Sequence, residues 1–149
     1  MASRVRPLTR LVARGDWGEV RAYVLENGDC PTIDFLNNDL VQMKCGHEVP
    51  QLTARDRCLE VFQQMAEDGE VARGRLASEA IGQAFRFEIN NRQIRFPCFR
   101  DVNSWIITFG FFKRGAQHGR GKWRNEDEKK SKVYRDGYNA RKMKPGPTK

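Results

Sequence analysis

Between Phe85 and Lys122 the chain places Arg86, Arg95, Arg100, Lys113, Arg114, Arg120 and Lys122 around a single histidine, His118. Permanently charged guanidiniums grip phosphate oxygens in pairs, and ammonium groups add compact positive charge. His118 is the nearby side chain whose ordinary pKa lies close to neutrality, so it suits transfer of a proton in either direction. Metal-free cleavage of RNA needs these parts: a base for the 2′-hydroxyl, cations for the charged phosphorane and an acid for the leaving 5′-oxygen. Each residue also has a plainer reading. Arg86 and Arg95 can be surface charges beside Glu88, and His118 can be an exposed loop histidine among Gly115, Gly119 and Gly121. Trp123, in a basic stretch, can stack on a base or meet a protein partner, and Tyr134 and Tyr138 can stack on a base or pack on a sheet.

Charge supports a polyanionic or acidic partner. The chain carries +8 overall, yet residues 113–149 hold 13 Lys/Arg against 4 Asp/Glu, and residues 1–112 hold 14 against 15. The positive field therefore belongs to the last quarter, where it favours phosphate or an acidic protein surface. Lys129, Lys130 and Lys132 fit a solvated helix face as well as phosphate contact. At 149 residues, 39% hydrophobic and 31% charged, the chain suits one globular, soluble domain rather than a membrane protein or a disordered one. No P-loop, dinucleotide fingerprint or hydrolase triad is present. Cys30, Cys45, Cys58 and Cys98 show no paired spacing and read as reduced, buried thiols of a cytoplasmic protein; Cys45 and Cys58 with His47 match no zinc ribbon or finger.

The elements that must position these groups follow from periodicity. Residues 1–16, with Arg4, Arg6, Arg10 and Arg14, resemble a transit peptide or a basic tail, and the tail is the expected reading. Trp17–Leu25 reads as a strand closed by Asn27-Gly28-Asp29. A helix opens at Pro31-Thr32, runs through Phe35, Leu36, Leu40 and Met43, and stops at Cys45-Gly46; a second opens at Thr53, with Asp56 completing a capping box, and ends at Gly69. Phe85, Phe87 and Ile89 alternate with Arg86 and Glu88, and Ile94, Phe96 and Cys98 alternate with Arg95 and Pro97, so phenylalanines face the helices and Arg86 and Arg95 share the other face. Hairpins fall at Asn90-Asn91-Arg92 and Asp101-Val102-Asn103, and Trp105–Phe112 is a third, apolar strand. Pro97 cannot donate to a ladder and predicts a bulge or a locally free edge. A last helix begins near Asn125 in acid, Glu126-Asp127-Glu128, and ends in base at Arg141 and Lys142. Residues 143–149 read as a disordered tail. The expected domain is 17–142, an α+β fold in which a mostly antiparallel sheet packs on a two-helix hairpin.

In this order, the stretch Gly28–Leu36 (GDCPTIDFL), the strands around Arg86 and Arg95, and ITFGFFKR at 107–114 resemble the RelE/HigB toxin superfamily, in particular its phage-derived branch, over residues 20–142. The resemblance implies a small RelE-like fold with a basic C-terminal helix and the toxin of a type II toxin–antitoxin system. It also implies a ribosome-dependent mRNA endoribonuclease working without metal or small-molecule cofactor, with mRNA on the ribosome and a small helix-turn-helix antitoxin as partners and no membrane role. Arg86, Arg95, Lys113 and Arg114 are the matching cations, and GAQHGRGKW stands where the branch carries a lysine- and threonine-rich turn. Joined with the reading of the residues themselves, which adds His118, the candidate catalytic set is Arg86, Arg95, Lys113 and His118, with Arg100, Arg114, Arg120, Lys122, Trp123, Tyr134 and Tyr138 as candidate RNA contacts. The alternatives are a gyrase inhibitor like the related ParE toxins, and a binding protein of the same fold that has lost cleavage.

Overall fold

The computed structural model describes residues 7–45, 52–70, 76–79, 82–89, 92–113 and 125–143. Its centre is a mixed sheet of seven strands: β1 (Thr9–Arg14), β2 (Glu19–Tyr23), β5 (Leu76–Glu79), β6 (Gly82–Ile89), β7 (Arg92–Asp101), β8 (Ser104–Ile107) and β9 (Phe111–Lys113). The order is β1-β2-β8-β7-β6-β5, with β9 also on β7; β2 runs parallel to β8 and the other pairs are antiparallel. Two of these strands depart from the sequence reading. Residues 9–14, expected in a tail, form edge strand β1, because Val12 and Ala13 pack inward while Arg14 pairs with Glu19 at 2.7 Å. Strand β5 was not foreseen, and β2 begins at Glu19 because Gly15–Gly18 is a turn closed by the Gly15 N–H on the Gly18 carbonyl.

The helical stretch after β2 is not uniform. It is α-helical at α1 (Pro31–Asp34), widens into a π-turn over Phe35–Asp39, where Leu40 N–H reaches the Phe35 carbonyl, and tightens to 3₁₀ over Leu40–Gln42. A small ribbon, β3 (Lys44–Cys45) with β4 (Leu52–Thr53), leads into α2 (Ala54–Asp68). The expected capping box is there: Thr53 Oγ1 accepts the Asp56 N–H and the Asp56 carboxylate accepts the Thr53 N–H. At the other end Gly69, at φ 77°, makes the left-handed cap, and a Cβ there would lie 2.5 Å from the Trp17 indole. The buried stripe Ala54, Cys58, Phe62, Met65 and Ala66 packs on one face of the sheet against Val20, Phe85, Phe87, Ile94, Phe96, Trp105 and Ile107.

The third predicted strand is two strands. Between the pairs Cys98↔Ile107 and Arg95↔Phe111, β7 advances three residues and its partner four, so one extra residue is accommodated at Thr108–Gly110. The bulge lies opposite Pro97, which has no N–H to offer; its carbonyl accepts the Thr108 N–H at 2.9 Å instead. The hairpin at Asp101–Ser104 is present, with Val102 at φ 54°, an uncommon position for a β-branched residue. Across the second face lies α3 (Asn125–Met143). Cys30, Cys58 and Cys98 are buried thiols and Cys45 is half-buried; burial pushes Cys98 up to about 12. The expected disordered tail, bar Met143 in α3, and the first six residues of the expected basic tail lie outside the described residues, as does His47. Among the described residues, no helix is long and apolar enough to cross a membrane.

Candidate nucleic-acid interface

Register brings three of the sequence-selected cations together. Arg86 on β6 lies directly opposite Arg95 on β7, whose other neighbour is Phe111 on β9. Two register pairs further along, Glu88, Gln93 and Lys113 form the next row on the same face. Opposed side chains in such pairs stand roughly 5 Å apart at Cβ. Two guanidiniums at that spacing repel each other, and an anion between them relieves the cost.

The two arginines differ in burial, which corrects the expectation that both reach solvent or ligand. Arg86 is exposed, whereas Arg95 is 4% exposed. The cause is position: β7 is an interior strand, with β6 on one side and β8 and β9 on the other, and α3 is laid over this face. The Arg95 guanidinium donates to the Ile94 carbonyl at 3.2 Å and to Gln93 Oε1 at 2.9 Å. Lys113, half-buried at the end of β9, flanks the pair.

Arg100 does not join this group. Five residues beyond Arg95 on one strand, it projects from the opposite face, where its guanidinium lies 4.9 Å from the Trp17 ring and 5.6 Å from the Trp105 ring. Alternation alone separates the two arginines and was the signal available. Tyr138 is 5% exposed, with its ring 5.1 Å from Phe99 and its hydroxyl donating to Asp101, and half-buried Tyr134 sits 5.6 Å from Phe109 and 6.0 Å from Tyr23. Both tyrosines pack on the sheet in place of offering a stacking platform. Burial, then the bond to Asp101, pushes the Tyr138 phenol up, while Lys142 and Tyr138 hold the Asp101 carboxyl below its ordinary value. Arg114, His118, Arg120, Lys122 and Trp123 lie outside the described residues.

Glu88 and Gln93 complete the row and were not selected as site residues. Glu88 is an exposed carboxylate two residues from Arg86 on the same face, and Gln93 orients the Arg95 guanidinium. In this arrangement exposed Arg86 is the member of the pair that can reach phosphate oxygens, half-buried Lys113 and exposed Glu88 stand in the adjoining row, and buried Arg95 adds its charge from within the fold. A separate cleft of about 360 Å³ lies toward the far end of β7, lined by Phe99, Arg100, Asp101, Asn139, Lys142 and Met143. Comparison of the chain with family models, with curated proteins and with solved structures finds no match.

Proposed function

We propose that this protein is the toxin of a type II toxin–antitoxin system and acts as a ribosome-dependent mRNA endoribonuclease. The observation that carries the reading is the cross-strand pair Arg86↔Arg95 with Lys113 on the adjoining row, three cations from three neighbouring strands on one face. The RelE-like resemblance rests on the order strand, helical stretch, helix, strands and helix, and within the longer chain order β2, the stretch from α1, α2, β6 to β8 and α3 follow in that sequence, with β2 parallel to β8. In this mechanism Arg86 and Lys113 bind the scissile phosphate, and Arg95, held by Gln93, stabilises the charge that develops on the phosphorane. The base that takes the 2′-proton and the acid that serves the 5′-oxygen come from Glu88 and His118. The ribosome fixes the mRNA in line for attack, and a small antitoxin with a helix-turn-helix domain silences the protein in the cell, its cytoplasm being the site of action.

Expression without a partner arrests bacterial growth and shortens transcripts only while they are translated; primer extension after induction reads both the cleavage and its dependence on translation. Growth arrest with intact mRNA and altered plasmid supercoiling would replace this reading with gyrase inhibition. Normal growth would leave a fold that has lost cleavage.

A further inference from the structure

The turn between β7 and β8 holds a side chain that the fold does not need. Asp101 pairs with Ser104, which leaves Val102 and Asn103 as the two turn residues, and Val102 sits at φ 54°. Glycine, asparagine or aspartate takes such a conformation with little strain, whereas a β-branched side chain is strained in it. Burial inside the fold would offset that strain, yet Val102 is 82% exposed. What the valine contacts therefore lies outside the chain's own core.

Its surroundings say what kind of contact that is. Lys142 pairs with Asp101, so their chain neighbours Met143 and Val102 come to the same end of the sheet, and Met143 is also 82% exposed. The cleft of about 360 Å³ adjoins them, with Phe99, Asp101, Asn139, Lys142 and Met143 in its lining. Such a volume suits one or two inserted side chains, the way an interface anchor fills a pocket. Charge around the cleft is positive: from residue 132 to its end α3 carries Lys132, Arg135, Arg141 and Lys142 against Asp136. Exposed valine and methionine gain nothing from RNA phosphates, and the Lys142 ammonium is already set on Asp101, whereas an apolar side chain of a protein gains from both the rim and the cleft. The positive surround favours acid beside that side chain.

We propose that the Val102–Met143 end of the sheet is a docking site for a protein partner, which inserts an apolar side chain into the cleft and sets acidic residues against the basic end of α3. The site lies about 20 Å along β7 from the arginine row and does not rest on the endoribonuclease reading. The probe is a fluorescein-labelled amphipathic helical peptide of leucine, alanine and glutamate, titrated against the full chain, with its lysine-for-glutamate counterpart as control. The glutamate peptide should bind and the lysine peptide should not. Val102→Gly should act in opposite directions on two readings: the unfolding equilibrium in urea moves about fivefold toward the folded state as the turn is relieved, and affinity for the peptide falls about tenfold as the contact is lost. Met143→Ser should weaken the peptide to a similar degree with the urea midpoint unchanged. Native affinity in Val102→Gly, or no binding of the glutamate peptide by the parent protein, overturns the docking site. Stability unchanged or lowered in Val102→Gly removes the strain and with it the proposal. Displacement of the peptide by a short oligouridylate would make this end a nucleic-acid surface, and self-association of the chain abolished by Val102→Gly would make a second copy the occupant; either overturns the assignment to an acidic partner.

Discussion

The two faces of the central sheet are built from the same strands by the same alternation, and they behave as different materials. On one face Phe85 and Phe96 meet Phe62 of α2 at ring separations of 5.5 and 5.2 Å, with the aromatic contacts continuing to Phe35 and Phe112. On the other, α3 is held by a mixture of rings and charges: Tyr138 on Phe99, the Tyr138 hydroxyl and Lys142 on Asp101, and Arg141 on the Val24 carbonyl. Interlocked rings leave no room for adjustment. A face that is part aromatic and part ionic can exchange its charged contacts for those of a ligand. The pairing of a rigid face with an exchangeable one teaches where binding belongs.

The sharpest way to break this contrast is at Gly110, in the bulge between β8 and β9. A Cβ there would lie 2.5 Å from Phe35 and 2.6 Å from Phe96, two rings that are themselves wedged edge to face. Gly110→Ala should therefore cost about 3 kcal/mol of stability by overpacking, read as a drop in the urea midpoint at constant m-value. A variant of native stability would show that the apolar face yields as readily as the charged one.

The charged face should respond to pH at both ends of the scale. Asp101 has its folded pKa below the ordinary 3.8, so its contribution is present above that value and is lost as pH falls through the folded pKa. Tyr138 has its folded pKa above the ordinary 10.0, so its contribution is present below that value and is lost as pH rises through the folded pKa. The docking of α3 should thus be firmest between these limits. Tyr138→Phe removes the shared hydrogen bond, should cost about 1.5 kcal/mol at neutral pH, and should abolish the alkaline loss. Stability followed by near-ultraviolet circular dichroism across pH checks both. An unchanged alkaline limb in Tyr138→Phe would assign that loss elsewhere.

Much of this frame is legible in the residues. The Thr53–Asp56 box, the glycine stop at Gly69, the phenylalanine–arginine alternation and the proline that forces a bulge each act through contacts within a few residues or one register step. What escaped depends on distant parts. Strand β1 is arginine-rich because edge strands carry charge against unwanted pairing, and that composition resembles a tail. Strand β5, four residues long, is too short to show a period. The placement of Arg100 on the face opposite Arg95 follows from parity along β7, a signal the chain does contain. The burial of Arg95 was not readable, because it depends on the assembled sheet, in which β7 lies between β6 on one side and β8 and β9 on the other.

The finest test of the comparison lies within the charged face, between Arg86 and Arg95. They are opposite each other in register and identical in chemistry, and they differ in exposure. An exposed arginine on a strand contributes little to folding, so Arg86→Gln should change stability by no more than about 0.5 kcal/mol. If Arg86 touches phosphate, the same substitution should lower the slope of log affinity for single-stranded RNA against log salt by about 0.7, the loss of one contact's worth of released counterion. Filter binding at several salt concentrations measures that slope directly. A native slope in Arg86→Gln would remove Arg86 from the interface and leave phosphate binding to residues further along the chain. A large loss of stability would show that this face, too, is locked at its rim, and the distinction between the two faces would then stop at the edge of α3.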